Sequence, residues 1–290
     1  MSQSSGLMTR KRKISSKLCP VELPTLPMVY PFCAANFYIR DCYSVYFDVI
    51  MDRLNQDEIR FITVTGSPGI GKSVFYLYFV PRYRKVRADQ IVVTASFTDS
   101  RTLTLCRVYY PDRANDPVEL NTVPNIPNAL YIYDGTPDMK PPWDERMICF
   151  TSPHRGWSKY IRKENAHIKL HMPVWTESEL YEDNNVLGLG IADTEMRRRF
   201  SVFGGKASVC LGTDAGFVQQ METDLFNRVA ALDPDQVEDF LHRKSADYDD
   251  LHTIFHNHPL DTDKSGYVIG ICSGSVEEQI MELIKRNGKE

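Results

Sequence analysis

Residues 61–75 read FITVTGSPGIGKSVF, and this stretch decides the fold class. Phe61–Thr65 is an apolar, β-branched run that is typical of a buried parallel strand. Gly66–Ser73 then matches the pattern G-x-x-x-x-G-K-[ST] without a gap, and another apolar run follows it. A strand, a glycine-rich turn and a helix in this order predict a phosphate-binding loop at the N-terminus of the helix.

The residues of this loop have distinct predicted tasks. The glycines allow backbone N–H groups to turn toward phosphate oxygens, and Lys72 is expected to reach the β- and γ-phosphates. The Ser73 hydroxyl is expected to ligate Mg²⁺. We therefore predict Mg²⁺ and ATP as cofactors, with the identity of the nucleotide left open. The predicted nucleotide-binding residues are Gly66, Ser67, Pro68, Gly69, Ile70, Gly71, Lys72, Ser73 and Val74.

Asp134 is the predicted second half of the metal site. It ends the apolar run Leu130–Tyr133, as expected for a carboxylate at the end of a parallel strand. Many ATP-hydrolysing proteins place a glutamate next, but Gly135 occupies that position. Nucleotide binding is therefore predicted more firmly than hydrolysis. Three nearby acids are weak candidates for the missing role, namely Asp138, Asp144 and Glu145.

A third strand, Arg146–Thr151, adds polar residues at the same edge of the sheet. Thr151 or Ser152 is expected to sense the γ-phosphate, and Arg155 is expected to stabilise transition-state charge. A capped turn before the next helix is the alternative interpretation. The predicted catalytic residues are thus Lys72, Asp134 and Arg155.

The order of elements predicts an α/β fold with a largely parallel sheet, a C-terminal helical lid and a small β-hairpin. Pro81 is expected to end the helix that begins at Lys72. Residues 112–127 are expected to form a loop, and Thr253–Asn257 and Tyr267–Ile271 the strands of the hairpin. The predicted divisions are a disordered basic tail and linker (1–28), a nucleotide-binding core (29–173) and the lid with the hairpin and a last helix (174–290).

Composition narrows the class of protein. The 290 residues are 42% hydrophobic and carry a net charge of −4, as in a globular protein with a sizeable core. The first 21 residues contribute +5 to that charge, so the remainder carries −9 and nucleic-acid binding is not expected. No apolar run is long enough to span a membrane, and no secretory signal peptide is recognisable.

Three weaker features leave alternatives open. The basic run Arg10–Lys13 is read as a solvated tail, a nuclear-import signal or a phosphate-contacting arm. His252, His256 and His258 are expected to be ordinary polar residues rather than metal ligands. The seven cysteines contain no CxxC pair and indicate free thiols in a reducing compartment.

The order of these motifs resembles that of Crinkler effectors, which are related to the retrotransposon hot spot proteins. The loop resembles theirs, as do the strand ending in Asp134-Gly135, the segment Met172–Leu180 (MPVWTESEL) and the segment Arg199–Gly205 (RFSVFGG). The resemblance extends from about Val29 to Ile284. It implies an ATPase core of the AAA+/STAND type with a helical lid, secretion, and action in the nucleus of a host cell; otherwise we expect a cytoplasmic or nuclear protein.

The chain departs from this family pattern at the lid. Relatives usually continue Gly-Gly-x-Pro-Arg, whereas Gly205 is followed by Lys206, Ala207 and Ser208. The sequence therefore does not predict sensing of the nucleotide by a lid arginine, and Lys206 is the alternative residue for this role. The sequence ends at Glu290, where the resemblance implies a further effector domain, and we expect a truncated or degenerate member.

Two function classes remain after these observations. The first is an enzyme that binds Mg·ATP and hydrolyses it slowly, with homo-oligomers and a host protein as possible partners. The second is a catalytically degenerate nucleotide-binding module that acts as a scaffold. A nuclease has little support, because no compact group of acids and lysine stands outside the predicted core.

Overall fold

The structure is a computed structural model that describes residues 18–20, 36–113, 116–137, 145–161, 164–233, 237 and 251–286. Several predicted features lie outside these residues. They are most of the tail and linker (1–28), and Asp138 and Asp144.

Eleven strands and eight helices are described in these residues. The strands are β1 (Leu18–Pro20), β2 (Asn36–Tyr38), β3 (Phe61–Thr65), β4 (Val92–Phe97), β5 (Leu103–Tyr109), β6 (Val118–Leu120), β7 (Leu130–Asp134), β8 (Arg146–Phe150), β9 (His167–His171), β10 (Phe255–Pro259) and β11 (Tyr267–Ile271). The helices are α1 (Asp41–Leu54), α2 (Lys72–Val86), α3 (Arg155–Ile161), α4 (Glu177–Leu187), α5 (Asp193–Phe203), α6 (Ala207–Cys210), α7 (Ala215–Ala230) and α8 (Gly274–Arg286).

Seven strands form the central sheet in the order β6-β5-β4-β7-β8-β3-β9. The five strands from β4 to β9 in this order are parallel, whereas β5 and β6 add an antiparallel edge. Strands β10 and β11 form a separate antiparallel hairpin. The predicted fold class, α/β with a mostly parallel sheet behind a phosphate loop, is confirmed.

Both faces of the sheet are buried, which explains why its central strands are apolar along their whole length. Alternate residues point to opposite faces, so Ile62 and Val64 join one hydrophobic cluster while Phe61 joins the other. The first cluster packs the sheet against α1, α2 and the C-terminal helices. The second packs it against α3 through Trp157 and Ile161.

The prediction that Pro81 ends the second helix was wrong. Helix α2 continues through Pro81 to Val86. Proline removes one helical hydrogen bond and costs about 3 kcal/mol in a helix interior. Buried side chains on both sides of it, including Val80 and Tyr83, offset this cost by packing against the core.

Four strands were not predicted, namely β1, β2, β6 and β9. Strand β6 lies within the segment expected to be a loop. Strand β9 pairs with β3 in parallel and brings its last residue, His171, opposite Thr65 at the start of the phosphate loop. The chain that follows β9 therefore leaves the sheet beside the loop.

The C-terminal helices and hairpin pack against this edge of the sheet. Helix α4 begins with a capping box in which Thr176 and Glu179 satisfy each other's backbone N–H groups. The turn between β10 and β11 contacts the end of β9, where the His171 N–H donates to the Lys264 carbonyl at 2.8 Å. Whether these elements form a separate domain with the boundaries given above stays a prediction.

Candidate functional site

The candidate site lies at the carboxyl ends of β3, β8 and β7. Phe150 on β8 is paired with Val64 on one side and with Asp134 on the other. Because neighbouring strands are about 4.8 Å apart, Asp134 lies roughly 10 Å from the strand that carries the loop. The structure therefore brings together the two motifs that the sequence placed 62 residues apart. Ligands of open parallel sheets bind at this edge.

The phosphate loop depends on backbone conformations that glycine adopts freely. Gly69 and Gly71 have φ angles of 81° and 91°. A Cβ on Gly69 would also overlap the Ser208 hydroxyl, so a side chain here would be strained and would displace Ser208. No side chain caps the start of α2 at Gly71, which leaves the first N–H groups of the helix for a ligand.

The loop carbonyls are held by groups from other parts of the chain. The Gly69 carbonyl accepts from the Ser208 N–H at 3.0 Å, and the Ile70 carbonyl accepts from the Trp175 indole at 2.8 Å. The Gly71 carbonyl accepts from the Tyr43 hydroxyl at 3.3 Å. In a trans peptide the carbonyl and the following N–H point in opposite directions. Holding these carbonyls outward therefore turns the next three N–H groups, those of Ile70, Gly71 and Lys72, toward the inside of the loop. We call this inner side of the loop the cradle.

Lys72 is buried with its ammonium group against the loop. Its Nζ donates to the carbonyls of Gly66 and Ser67, both at 2.8 Å. Burial lowers the pKa of Lys72 to about 7, and the nearby Asp134 carboxylate opposes this shift. A polyphosphate would supply the negative charge that favours the protonated form.

Asp134 and Ser73 form the second half of the site. Burial raises the pKa of Asp134 to about 6, while a hydrogen bond from Ser73 and the charge of Lys72 pull the pKa down. A carboxylate and a hydroxyl in contact are the hard oxygen donors that Mg²⁺ prefers. A buried carboxylate with a raised pKa also gains from a nearby cation. These residues therefore fit the predicted magnesium ion.

The backbone at position 135 explains why glycine rather than glutamate stands there. Its φ is 90°, and a Cβ at this position would lie 2.5 Å from the Phe97 carbonyl oxygen. Any side chain here would collide with the end of β4. Glu145 does not replace it, because it lies at the opposite edge of the sheet and accepts from the Asn128 N–H.

The end of β8 contains a contact that sequence reasoning missed. The hydroxyls of Thr136 and Thr151 are 2.7 Å apart, and both residues are buried. Thr151, a predicted γ-phosphate sensor, therefore already has a partner in this structure. Arg155 starts helix α3, and only its backbone is described. Its catalytic role stays a prediction.

The segment that follows α5 reaches the phosphate loop with its backbone. Ser208 stands where the resemblance places an arginine; its N–H donates to the Gly69 carbonyl, and its hydroxyl also packs against this glycine. The Lys206 side chain also lies over this glycine, with Cγ 3.1 Å from the position of a Gly69 Cβ. Burial lowers the pKa of Lys206. The preceding Gly204-Gly205 pair permits the close approach of two other backbones, since a Cβ on Gly204 would collide with the Cys272 carbonyl oxygen and one on Gly205 with that of Trp175.

Two of the three late histidines lie on β10, which spans Phe255–Pro259 rather than the predicted Thr253–Asn257, and His252 precedes it. His256 and His258 lie on β10 with ring centroids 6.3 Å apart. Burial lowers the pKa of His256 to about 3 and keeps the ring neutral. Within the part of the chain that the structure describes, no three histidine, cysteine or acidic residues are arranged to hold a metal ion. Nor does any helix in this part combine the length and apolarity needed to cross a bilayer.

Comparison with known proteins gives a partial likeness. No protein-family model matches the sequence. Over 161 residues, or 50% of the chain, it is 22% identical to Crinkler effector proteins 15 and 16 of Phytophthora infestans. The match spans only 24% of each of these relatives, and it is shorter than the resemblance expected from the motifs. A solved structure of the Aeropyrum pernix ORC2 protein, in ADPNP–ADP complexes, aligns with a TM-score of 0.39 at 10% identity. That alignment covers 86% of this chain and 94% of the other.

Substitution of Gly135 tests whether the missing glutamate is excluded by the backbone. We expect Gly135→Ala to lower the free energy of unfolding by about 2–4 kcal/mol, because backbone strain adds to the collision with Phe97. Gly188→Ala is the matched control, since Gly188 has a φ of 65° and open space around it. It should cost only about 1 kcal/mol. Equal losses in urea denaturation would contradict the steric explanation.

Proposed function

We propose that the chain is a nucleotide-binding module that holds Mg·ATP at this edge of the sheet and hydrolyses it slowly. The nucleotide is held by the loop from Gly66 to Val74, with Lys72 on the β- and γ-phosphates. Ser73 and Asp134 hold Mg²⁺, which when bound supplies positive charge to the phosphate oxygens. Arg155 stabilises charge in the transition state.

The observation that carries this proposal is the set of outward-held carbonyls around a buried lysine. The Ile70 carbonyl is held by Trp175, the start of α2 has no side-chain cap, and the Lys72 ammonium lies against the loop carbonyls. Such groups cost free energy when they have no anion to bind, since each prefers a charged partner in a low-dielectric site. A chain of phosphates satisfies all of them at once.

The residues divide the chemistry between them. The loop N–H groups orient the phosphates, and Lys72 stabilises negative charge as it builds up on the β–γ bridging and terminal oxygens. The Ser73 hydroxyl and the Asp134 carboxylate position the metal. With no acid at position 135, the attacking water lacks a strong base, and this supports slow rather than rapid turnover.

The second candidate function is a nucleotide-binding module without turnover. The closed position at Gly135 favours it, since a water-activating glutamate cannot stand there. In that case nucleotide acts by stabilising the fold, by about 2.7 kcal/mol at a concentration of 100 Kd. The likeness to Crinkler effectors supports the further proposal that either module acts in a host cell with a host protein partner, alone or as a homo-oligomer.

Removal of the loop lysine tests nucleotide binding. We expect Lys72→Ala to weaken binding of Mg·ATP by about 10- to 150-fold, because a charge-assisted contact contributes about 1.5–3 kcal/mol. Lys85→Ala is the matched control, because Lys85 is an exposed lysine of the same helix. Isothermal titration calorimetry measures both affinities. Binding that is equal in the two variants would refute the proposed role of the loop.

Phosphate release distinguishes the two candidate functions. We expect slow release of phosphate from ATP by the parent protein. Asp134→Asn should reduce the rate at least tenfold, because the amide is a poor ligand for Mg²⁺. Parent protein that binds Mg·ATP without measurable release would establish the second candidate instead.

Proton uptake tests the electrostatics of the site. With a pKa of about 7, unliganded Lys72 is mostly neutral at pH 8, and a bound polyphosphate raises this pKa. Binding at pH 8 should therefore take up about 0.9 proton, and the affinity should fall as the pH rises above 7. At pH 6 the sign should reverse, because Asp134, with a pKa of about 6, gives up about half a proton beside Mg²⁺. Calorimetry in two buffers of different ionisation enthalpy measures the number of protons exchanged at each pH. Equal heats of binding in the two buffers at pH 8 would contradict the lowered pKa of Lys72.

A further inference from the structure

Trp175 is placed to act on the phosphate loop without touching a ligand. It lies between β9 and α4, in the segment Met172–Leu180, and only 5% of its surface is exposed. Its indole N–H donates to the Ile70 carbonyl at 2.8 Å, across 105 residues of sequence. Since the Ile70–Gly71 peptide is trans, this bond directs the Gly71 N–H to the opposite side, into the cradle.

The indole is held from several directions. The Arg40 guanidinium lies 4.7 Å from the centre of the indole ring, and the Tyr38 ring packs at 5.7 Å. The Trp175 backbone N–H donates to the Gly205 carbonyl at 3.1 Å. An aromatic ring fixed on its face and by its own backbone cannot turn away from Ile70 without breaking these contacts.

Arg40 is itself fully engaged. It forms a two-pronged ion pair with Glu179, with both N···O distances at 3.0 Å. It also donates to the carbonyls of Pro173 and Val174, at 2.9 and 3.0 Å. This buried arginine ties the start of α4 to the segment that carries Trp175, so the indole is mounted on a rigid support. Rigid support is what a loop rich in glycine lacks on its own.

From this arrangement we infer that Trp175 is a positioning residue for polyphosphate binding, which it serves by holding the Ile70 carbonyl away from the cradle. The inference rests on the proposed function and adds a residue to it. It requires that loss of the Trp175 indole N–H weaken binding of the phosphate chain and not binding of the nucleobase. A loop that loses this support has to order its own peptide on binding, and the affinity falls.

Trp157 offers a matched control. It is also a buried tryptophan, and its indole donates to the Thr63 hydroxyl at 3.2 Å. Its ring belongs to the hydrophobic cluster on the other face of the sheet. Trp157→Phe and Trp175→Phe each remove one indole N–H and leave an aromatic ring, so both are expected to lower the melting temperature. Only the second removes a support of the loop.

The test compares the affinities of Mg·ATP and of magnesium tripolyphosphate, which lacks the base, in the parent and in both variants. We expect Trp175→Phe to weaken both ligands by the same factor, about 3- to 10-fold for one hydrogen bond. Trp157→Phe should stay within twofold of the parent. Unchanged affinities in a folded Trp175→Phe protein, a loss confined to ATP, or an equal loss in Trp157→Phe would overturn the inference.

A second measurement uses the parent protein and does not depend on how the variant folds. The indole N–H resonances are assigned by Trp→Phe variants at 143 and 157, which leaves the third for Trp175. Addition of magnesium tripolyphosphate should shift the Trp175 resonance and leave that of Trp157 in place. An unmoved Trp175 resonance in protein that binds the ligand would refute the inference alone, whereas a parent that binds neither ligand would refute the proposed function as well.

Discussion

The phosphate loop depends on hydrogen bonds that its own residues cannot make. Its glycines allow a turn that no sheet pattern satisfies, so the carbonyls of Gly69 and Ile70 take donors from elsewhere, and the Gly71 carbonyl takes one in addition to the Phe75 N–H of α2. Those donors come from the helical segment after β9 and from α1, which are far away in the chain. The fold around the sheet edge can therefore be understood as the support for one loop.

Electrostatics link this support to the chemistry of the site. Burial favours the neutral forms of both Lys72 and Asp134. It lowers the pKa of Lys72 to about 7 and raises the pKa of Asp134 to about 6. The two groups partly restore each other's charge. The unliganded site is thus poised at neutral pH, and an incoming polyphosphate with its metal ion decides both protonation states.

The end of β7 limits what the site can do. Gly135 adopts a conformation that glycine prefers, against the backbone of Phe97, and the buried hydroxyls of Thr136 and Thr151 contact each other just beyond the ends of β7 and β8. Hydroxyls can orient a water molecule but are too weakly basic to deprotonate it. The proposed combination of nucleotide binding with slow hydrolysis rests on this geometry.

The sequence by itself determined the fold class and the position of the loop, because both depend on local patterns. An apolar β-branched run, a glycine-rich turn and a helix are written in consecutive residues, and Asp134 ends a recognisable strand. Only the tertiary structure decided what stands behind the loop. The partners Trp175–Ile70 and Ser208–Gly69 lie more than 100 residues apart, and their pairing depends on how β9 leaves the sheet. In the same way, core packing lets α2 continue past Pro81, because long-range packing overrides local propensity where the two conflict. The end of β4 lies so close to Gly135 that a side chain at this position would collide with it.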